Sequence, residues 1–236
     1  MTGIELNNVS FSFDLLNKKR IILQDVTYTF KRSKIIVILG KSGCGKTTVL
    51  KLINNLLIPN NGSINVNNYT ISTVFQEPRL MPWLNIYKNV IFGLDNSVID
   101  DDFINELFNL IKLTDYRRSY PHQLSGGMLS RVALIRALAI KPDYILLDEP
   151  FAALDYFTRI HLQKELLRLF NIFKMGIILV THSIDEALLL ADEILIMDDY
   201  KFKNKISLPA GMRDLLSNDF VQYKKEILMY LGERDI

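Results

Sequence analysis

The feature that most constrains this sequence is a glycine-rich segment that follows an apolar run. Residues 40–47 read Gly-Lys-Ser-Gly-Cys-Gly-Lys-Thr, which fits the pattern G-x-x-x-x-G-K-[ST]. The five residues before it, Ile35–Leu39, are all apolar and predict a buried strand, while Lys46–Leu57 predict a helix that stops before Pro59. A strand, a glycine-rich turn and a helix in this order predict an α/β core whose loop binds phosphate.

Each residue type in this phosphate loop suits a nucleoside triphosphate. Glycines let the backbone curve around phosphate oxygens so that its N–H groups point inward, and the helix N-terminus adds partial positive charge. The Lys46 ammonium can reach the β- and γ-phosphates, and the Thr47 hydroxyl can bind Mg²⁺. The residues expected to contact the nucleotide are Gly40, Lys41, Ser42, Gly43, Cys44, Gly45, Lys46, Thr47 and Thr48.

A second apolar run, Tyr144–Leu147, ends in two acids, Asp148 and Glu149. Nucleotides bind at the carboxyl ends of the strands in doubly wound sheets, so both carboxylates are placed for chemistry. We expect Asp148 to hold Mg²⁺ and Glu149 to polarise the attacking water.

The apolar pattern along the rest of the chain predicts its organisation. Alternating residues near the start, in Ile4–Phe13 and Ile21–Phe30, predict antiparallel strands joined by a hairpin loop over Asp14–Arg20. Helical patterns dominate from Leu84 to Ala139, including helices over Asp100–Leu113 and from near Ser125. Strands and helices then alternate, over Tyr144–Leu147, Tyr156–Phe173, Ile177–Thr181, Ile184–Leu190 and Glu193–Met197.

These patterns together predict one domain, residues 1–236, of the α/β class. Its core is expected to be a P-loop NTPase fold with a mostly parallel sheet, because the later strand runs are apolar on both faces and separated by helices. An antiparallel β-subdomain is expected at the N-terminus. A helical subdomain is expected to be inserted in the core at approximately residues 84–139.

Composition argues against some kinds of partner and cellular setting. The chain has 28 basic and 26 acidic residues, and this balance argues against nucleic acid as the main partner. Its one cysteine cannot form an internal disulfide, which favours a cytosolic setting. No apolar run approaches the roughly 20 residues that a spanning helix needs.

A third motif, Leu124-Ser125-Gly126-Gly127-Met128, predicts the start of another helix. Ser125 is a good N-cap, and the two glycines would let the helix end approach a ligand closely. The motif is therefore a second candidate phosphate-binding helix N-terminus in a chain with one phosphate loop.

With these motifs in this order, the sequence resembles the ATP-binding-cassette (ABC) family over nearly its whole length. The resemblance implies that the chain binds ATP and Mg²⁺ and hydrolyses ATP. It also implies that two copies face each other head to tail, so that Ser125, Gly126 and Gly127 of one copy complete the ATP site of the other.

The resemblance also implies roles for three residues outside these motifs and for one aromatic ring. Gln76, in Val-Phe-Gln-Glu-Pro, matches the family's glutamine loop, which touches Mg²⁺ and the attacking water. Asp155 matches the loop that crosses the dimer interface, and His182 matches the histidine that contacts the γ-phosphate. Phe13 matches the aromatic residue that stacks on adenine, with Phe11 as its competitor.

Two positions depart from the family pattern. Met128 replaces the common glutamine that ends the signature, and Ser130 stands where glutamine is frequent. Because Ser125 and Gly127 are unchanged, we expect these departures to affect fine tuning rather than activity.

The segment from Gln76 to Trp83 looks like the glutamine loop of the nitrate, sulfonate and taurine import ATPases, a group that also includes importers of thiamine precursors. That resemblance implies permease subunits, an extracytoplasmic solute-binding protein, and a peripheral location at the cytoplasmic face of the membrane. Trp83 either lies exposed in a groove for a partner helix or packs in the core of the helical subdomain.

Two other classes of function are compatible with a phosphate loop. One is a soluble ABC ATPase that acts on nucleic acid or ribosomes, but the chain has neither a long coiled-coil insertion nor a second cassette. The other is a P-loop enzyme outside the family, such as a GTPase, but the guanine-reading sequence Asn-Lys-x-Asp does not occur.

Overall fold

The computed structural model describes residues 3–15, 18–95, 99–209 and 217–232. The described residues form two compact units. Unit 1 comprises the N-terminal segment up to Tyr69 and the C-terminal segment from Lys174, and unit 2 comprises Thr70–Phe173.

Unit 1 contains seven described strands and three described helices. The strands are β1 (Gly3–Leu15), β2 (Lys18–Lys31), β3 (Ile35–Leu39), β4 (Asn61–Asn65), β7 (Gly176–Thr181), β8 (Glu193–Asp198) and β9 (Lys201–Ser207). The helices are α1 (Lys46–Ile53), α6 (Ile184–Leu190) and α7 (Asn218–Tyr230).

Strands β1, β2 and β4 form the predicted antiparallel sheet, in the order β2-β1-β4. Alternate apolar residues such as Ile4, Leu6 and Phe30 are fully buried. The prediction of a hairpin loop over Asp14–Arg20 is wrong, because β1 and β2 continue to pair as far as Leu15 and Lys18. Polar residues at the end of a hairpin can keep this backbone pairing while their side chains stay in water.

The other four strands of unit 1 lie in the order β7-β3-β8-β9. β3 is parallel to both β7 and β8, and every residue of β3 is fully buried, as its apolar run predicts. β9 pairs antiparallel with β8.

Unit 2 contains two described strands and four described α-helices. The strands are β5 (Ile71–Val74) and β6 (Tyr144–Asp148), and the helices are α2 (Ile86–Val90), α3 (Asp101–Leu110), α4 (Gly126–Ala139) and α5 (Tyr156–Phe173). β5 and β6 are parallel neighbours. α4 packs against the other three helices and against β5.

The mainly helical character predicted for residues 84–139 is confirmed, whereas the bounds of an inserted subdomain stay a prediction. Two predicted helices end early. α1 stops at Ile53 rather than Leu57, and α3 stops at Leu110 rather than Leu113. In each case a residue just beyond the helix, Asn55 or Lys112, takes a left-handed backbone conformation that ends the helical hydrogen bonding. Within the described ranges, no helix is long and apolar enough to cross a bilayer.

A buried amide organises the loop before α2. The Asn89 side chain is fully buried, and its oxygen accepts a hydrogen bond of 2.7 Å from the Met81 backbone N–H. Its nitrogen donates to the backbone carbonyls of Met81, Leu84 and Asn85 at 2.9–3.1 Å. One side chain therefore holds residues 81–85, the segment that carries Trp83.

We predict that Asn89→Leu lowers the free energy of unfolding by about 2 to 4 kcal/mol, because it leaves buried backbone groups without partners. Urea denaturation measures the change. Asn85→Asp is the control, since it keeps the side-chain oxygen that accepts from Lys88 N–H at the start of α2, and it should shift stability by no more than about 0.5 kcal/mol. Equal effects of the two substitutions would contradict the role of Asn89.

Candidate functional site

The phosphate loop of unit 1 leaves the carboxyl end of β3 and runs directly into α1. Gly45, the residue before the helix, has φ +109°, and a methyl group added to it would lie 2.8 Å from Met197 Cε and 2.9 Å from Ile22 Cγ2. Both the backbone conformation and the close packing therefore require glycine. Gly43 also has a left-handed backbone conformation, and left-handed residues in such a loop are typical of anion-binding turns.

The Lys46 ammonium lies inside this loop. Lys46 is only 4% exposed, and its Nζ donates to the carbonyl oxygens of Gly40 at 2.8 Å and Lys41 at 3.1 Å. A buried cation held in a glycine-rich loop at the N-terminus of a helix is an arrangement that suits a chain of phosphates. Thr47 and Thr48 follow on the first turn of α1 and are half-buried.

Cys44 lies between the two left-handed glycines and is half-buried. Burial raises the pKa of its thiol above the ordinary value, and the nearby Lys46 charge opposes this only in part. The thiol therefore ionises less readily than that of an exposed cysteine, and it is a small packing group of the loop.

A depression of about 460 Å³ opens beside the loop. Its lining comprises Lys19, Arg20, Ile21, Ile22, Gly43, Cys44 and Tyr200. Phe13 pairs with Arg20 across β1 and β2, and it is 39% exposed, whereas Phe11 is 7% exposed. The two rings meet edge to face at 4.9 Å. Accessibility thus favours Phe13 over Phe11 as the ring available to a base.

Sequence reasoning missed Tyr200, which lines the same depression and is 47% exposed. It follows β8 in a tight turn before β9, and its backbone carbonyl accepts a 2.8 Å hydrogen bond from Gln24 N–H. Only the pairing of β8 beside β3 brings it near the loop, and the sequence around it has no motif that signals this.

His182 lies at the same sheet edge as the phosphate loop. Leu39 and Thr181 are partners in the parallel register of β3 and β7, so Gly40 and His182 both follow paired strand ends. The Thr181 hydroxyl donates to Glu186 at 2.6 Å and accepts from the Ser183 N–H at 3.0 Å. These bonds fix the turn that presents the exposed His182.

Unit 2 brings together Gln76, Asp148 and Glu149. Val74 and Leu147 are partners in the parallel register of β5 and β6, so all three residues lie at the carboxyl ends of two adjacent strands. Glu149 has φ +45°, a strained backbone for a residue with a side chain and one that often marks a functional site.

The signature segment forms the N-terminus of α4, as predicted. The exposed Ser125 caps the helix by accepting from Met128 N–H at 3.4 Å. A methyl group added to Gly126 would meet no heavy atom of the described residues within 4 Å. Ser130, at the departure from the family pattern, donates to the Gly126 carbonyl at 3.1 Å, so its hydroxyl is satisfied within the helix.

Asp155 caps the first turn of α5. Its carboxylate accepts from the N–H groups of Phe157 and Thr158, both at 3.1 Å. A hydrogen bond with the Thr158 side chain, followed by these backbone bonds, lowers the pKa of the exposed Asp155 carboxyl below its ordinary value.

Trp83 is 70% exposed, and so it does not pack in the core of the helical region. The alternative that Trp83 packs in the core of the helical subdomain is therefore excluded. Phe92, beyond the end of α2, is also exposed, at 54%.

Comparison with known proteins agrees with an ATPase of the phosphate-loop type. The family model described as ABC transporter matches residues 23–152. The chain is 39% identical to the taurine import ATP-binding protein TauB of Roseobacter denitrificans, covering 84% of this chain and 78% of that protein. It is 38% identical to the aliphatic sulfonates import ATP-binding protein SsuB 2 of Pseudomonas syringae pv. tomato, over 91% of this chain and 94% of that protein.

A similar solved structure is the dimeric post-hydrolysis state of the ATP-binding cassette MJ0796 bound to ADP and Pi. It superposes with a TM-score of 0.76 at 27% identity, covering 88% of this chain and 99% of that chain. The chain therefore belongs to the ABC transporter family. It is an ATP-binding cassette and an ATP hydrolase, with the α/β P-loop fold predicted from its motifs.

We predict that ATP slows alkylation of Cys44, because a nucleotide in the loop covers the thiol. Iodoacetamide labelling followed by mass spectrometry, with and without ATP, measures the rate. Lys46→Ala is the control, since the loss of its ammonium weakens phosphate binding and should remove the protection. Labelling of the unsubstituted chain that is equally fast with saturating ATP would contradict the placement of the nucleotide.

Proposed function

We propose that this chain energises the import of taurine or another aliphatic sulfonate through partner membrane subunits, at the cytoplasmic face of the membrane. The import proteins reported above support this substrate class, because the chain covers more than three quarters of each of them. Nitrate and thiamine precursors are the neighbouring classes that the glutamine loop also allows. An extracytoplasmic solute-binding protein would deliver the solute.

The observation that carries the proposal is the phosphate loop with the Lys46 ammonium held inside it. This ammonium donates to the carbonyl oxygens of Gly40 and Lys41, and a triphosphate would offer the cation stronger, charge-assisted bonds. Loop N–H groups and the α1 N-terminus would hold the β- and γ-phosphates. Phe13 would stack on the adenine.

The proposed metal ligands fit Mg²⁺ by chemistry, because hydroxyl, carboxylate and amide oxygens are the hard donors that this ion prefers. They are Thr47 in unit 1 and Gln76 and Asp148 in unit 2. Mg²⁺ supplies charge neutralisation at phosphate oxygens when it is bound. Glu149 of unit 2 would accept a proton from the attacking water, and His182 of unit 1 would bind a γ-phosphate oxygen.

The signature helix and the Asp155 loop would serve a second copy of the chain. Ser125, Gly126 and Asp155 are all exposed, and the space beside Gly126 allows another molecule to approach the helix N-terminus. The likeness to a dimeric cassette supports a head-to-tail dimer in which this surface closes on the partner's ATP.

The exposed Trp83 would contact the permease. Its loop is held rigid by Asn89, so the ring is presented at little entropic cost, and a large exposed aromatic is typical of a site that a partner helix covers. A soluble ABC ATPase acting on nucleic acid or ribosomes was the alternative. The relatives reported above are import subunits and lend it no support.

We predict that the chain, reconstituted in vesicles with its permease and solute-binding protein, drives ATP-dependent uptake of labelled taurine or an aliphatic sulfonate. Trp83→Ala should lower uptake at least about tenfold while ATP binding by the isolated chain is unchanged, because the loss of a buried aromatic anchor costs about 2 kcal/mol or more.

Met229→Ala is the matched control, because Met229 is 66% exposed on α7 and has no assigned partner, and its uptake should equal that of the unsubstituted chain. If the complete assembly takes up neither taurine nor an aliphatic sulfonate with ATP, the substrate class is wrong. If Trp83→Ala and Met229→Ala transport equally well, Trp83 does not contact the permease.

A further inference from the structure

One side chain in the first turn of α5, Thr158, contacts both the signature segment and the Asp155 loop. A methyl group added to Gly127 would lie 2.4 Å from Thr158 Cγ2, but 3.8 Å from its Cβ and 3.9 Å from its Oγ1. Carbon atoms in contact are about 3.5–4.0 Å apart. The Thr158 methyl therefore occupies the space that a side chain at position 127 would need.

The other branch of Thr158 is tied to Asp155. The Thr158 backbone N–H donates to the Asp155 carboxylate at 3.1 Å, and hydrogen bonding by the Thr158 side chain is the largest cause of the lowered pKa of that carboxyl. A threonine side chain has only a few staggered positions, so rotation that moved the methyl away from Gly127 would also move the hydroxyl away from Asp155. The two contacts depend on one rotamer.

We propose that Thr158 is a positioning residue that holds Asp155 and Gly127 in fixed register, so that the surface offered to a second copy moves as one rigid piece. This inference rests on the proposed function for its assignment of that surface to the dimer. Gly127 is then required for packing inside the subunit, whereas Gly126, whose side is open, is the glycine that leaves room for the partner's nucleotide.

The packing half of the proposal is tested by urea denaturation of the full chain without nucleotide. Gly127→Ala should lower the urea midpoint, and Thr158→Ser, which removes only Cγ2, should restore it in the double variant. Residues in contact show this non-additivity, whereas distant ones do not. Gly126→Ala is the matched control. Its midpoint should not fall, and Thr158→Ser should shift it only as much as in the unsubstituted chain.

A double variant no more stable than Gly127→Ala alone would overturn the packing contact. So would an equal loss of stability in Gly126→Ala. Because no nucleotide or partner is present, these results judge the inference whether or not the proposed transport function holds.

The positioning half is tested with Thr158→Val, which keeps the shape but loses the hydroxyl, against Thr158→Ser, which keeps it. The valine variant should raise the pKa of Asp155, measured by NMR titration of its carboxyl carbon, and should lower kcat for ATP between about ten- and a hundredfold with KM for ATP unchanged. The serine variant keeps the hydroxyl but loses the methyl, so the pKa of Asp155 should stay unchanged and kcat should fall less than in the valine variant. Equal kcat values for the two variants would overturn the positioning role.

Discussion

The parallel pairing of β3 with β7 and β8 is the constraint on which the rest of unit 1 depends. Because the three strands run in the same direction, the segments that follow them meet at one sheet edge. The phosphate loop, His182 and Tyr200 reach this edge from distant parts of the sequence. Complete burial of β3 makes this register costly to shift, since a slip by one residue would move its apolar side chains out of their packing.

In unit 2, too, paired parallel strands bring polar residues from distant parts of the sequence to one sheet edge. The paired ends of β5 and β6 bring Gln76 near the two acids at the end of β6. Capped helix N-termini present the signature and the Asp155 loop. Helix ends and strand ends are the places where backbone groups lack partners, so both units place their functional groups where the backbone can contribute to binding.

Much of this arrangement could be predicted from the sequence because its signals are local. The phosphate loop, the Ser125 cap and the span of α5 each follow from residues close in the chain, and the structure agrees with them. The early end of α1 could not be predicted from apolar periodicity, because left-handed Asn55 decides it. The roles inferred for Gln76, Asp155 and His182 came from family resemblance, since isolated polar residues after strands have no distinctive pattern.

Contacts between segments that are distant in the sequence could not be predicted from the sequence. The Thr158 methyl against Gly127 and the ring of Tyr200 beside the phosphate loop depend on how strands and helices pack. The exposure of Trp83 also could not be predicted, because the sequence around it is compatible with either a buried or an exposed ring. The structure shows that the ring is exposed on a loop held by Asn89.

The central claim is that one chain's phosphate loop and another chain's signature helix enclose the same ATP. Sedimentation of Glu149→Gln with ATP, beside the double variant Glu149→Gln/Ser125→Arg, tests it most directly. Loss of the proposed catalytic carboxylate should trap ATP, so the single variant should sediment as a dimer with ATP and as a monomer without it. The double variant should bind ATP and stay monomeric. A single variant that binds ATP without associating, or a double variant that associates equally well, would contradict the account.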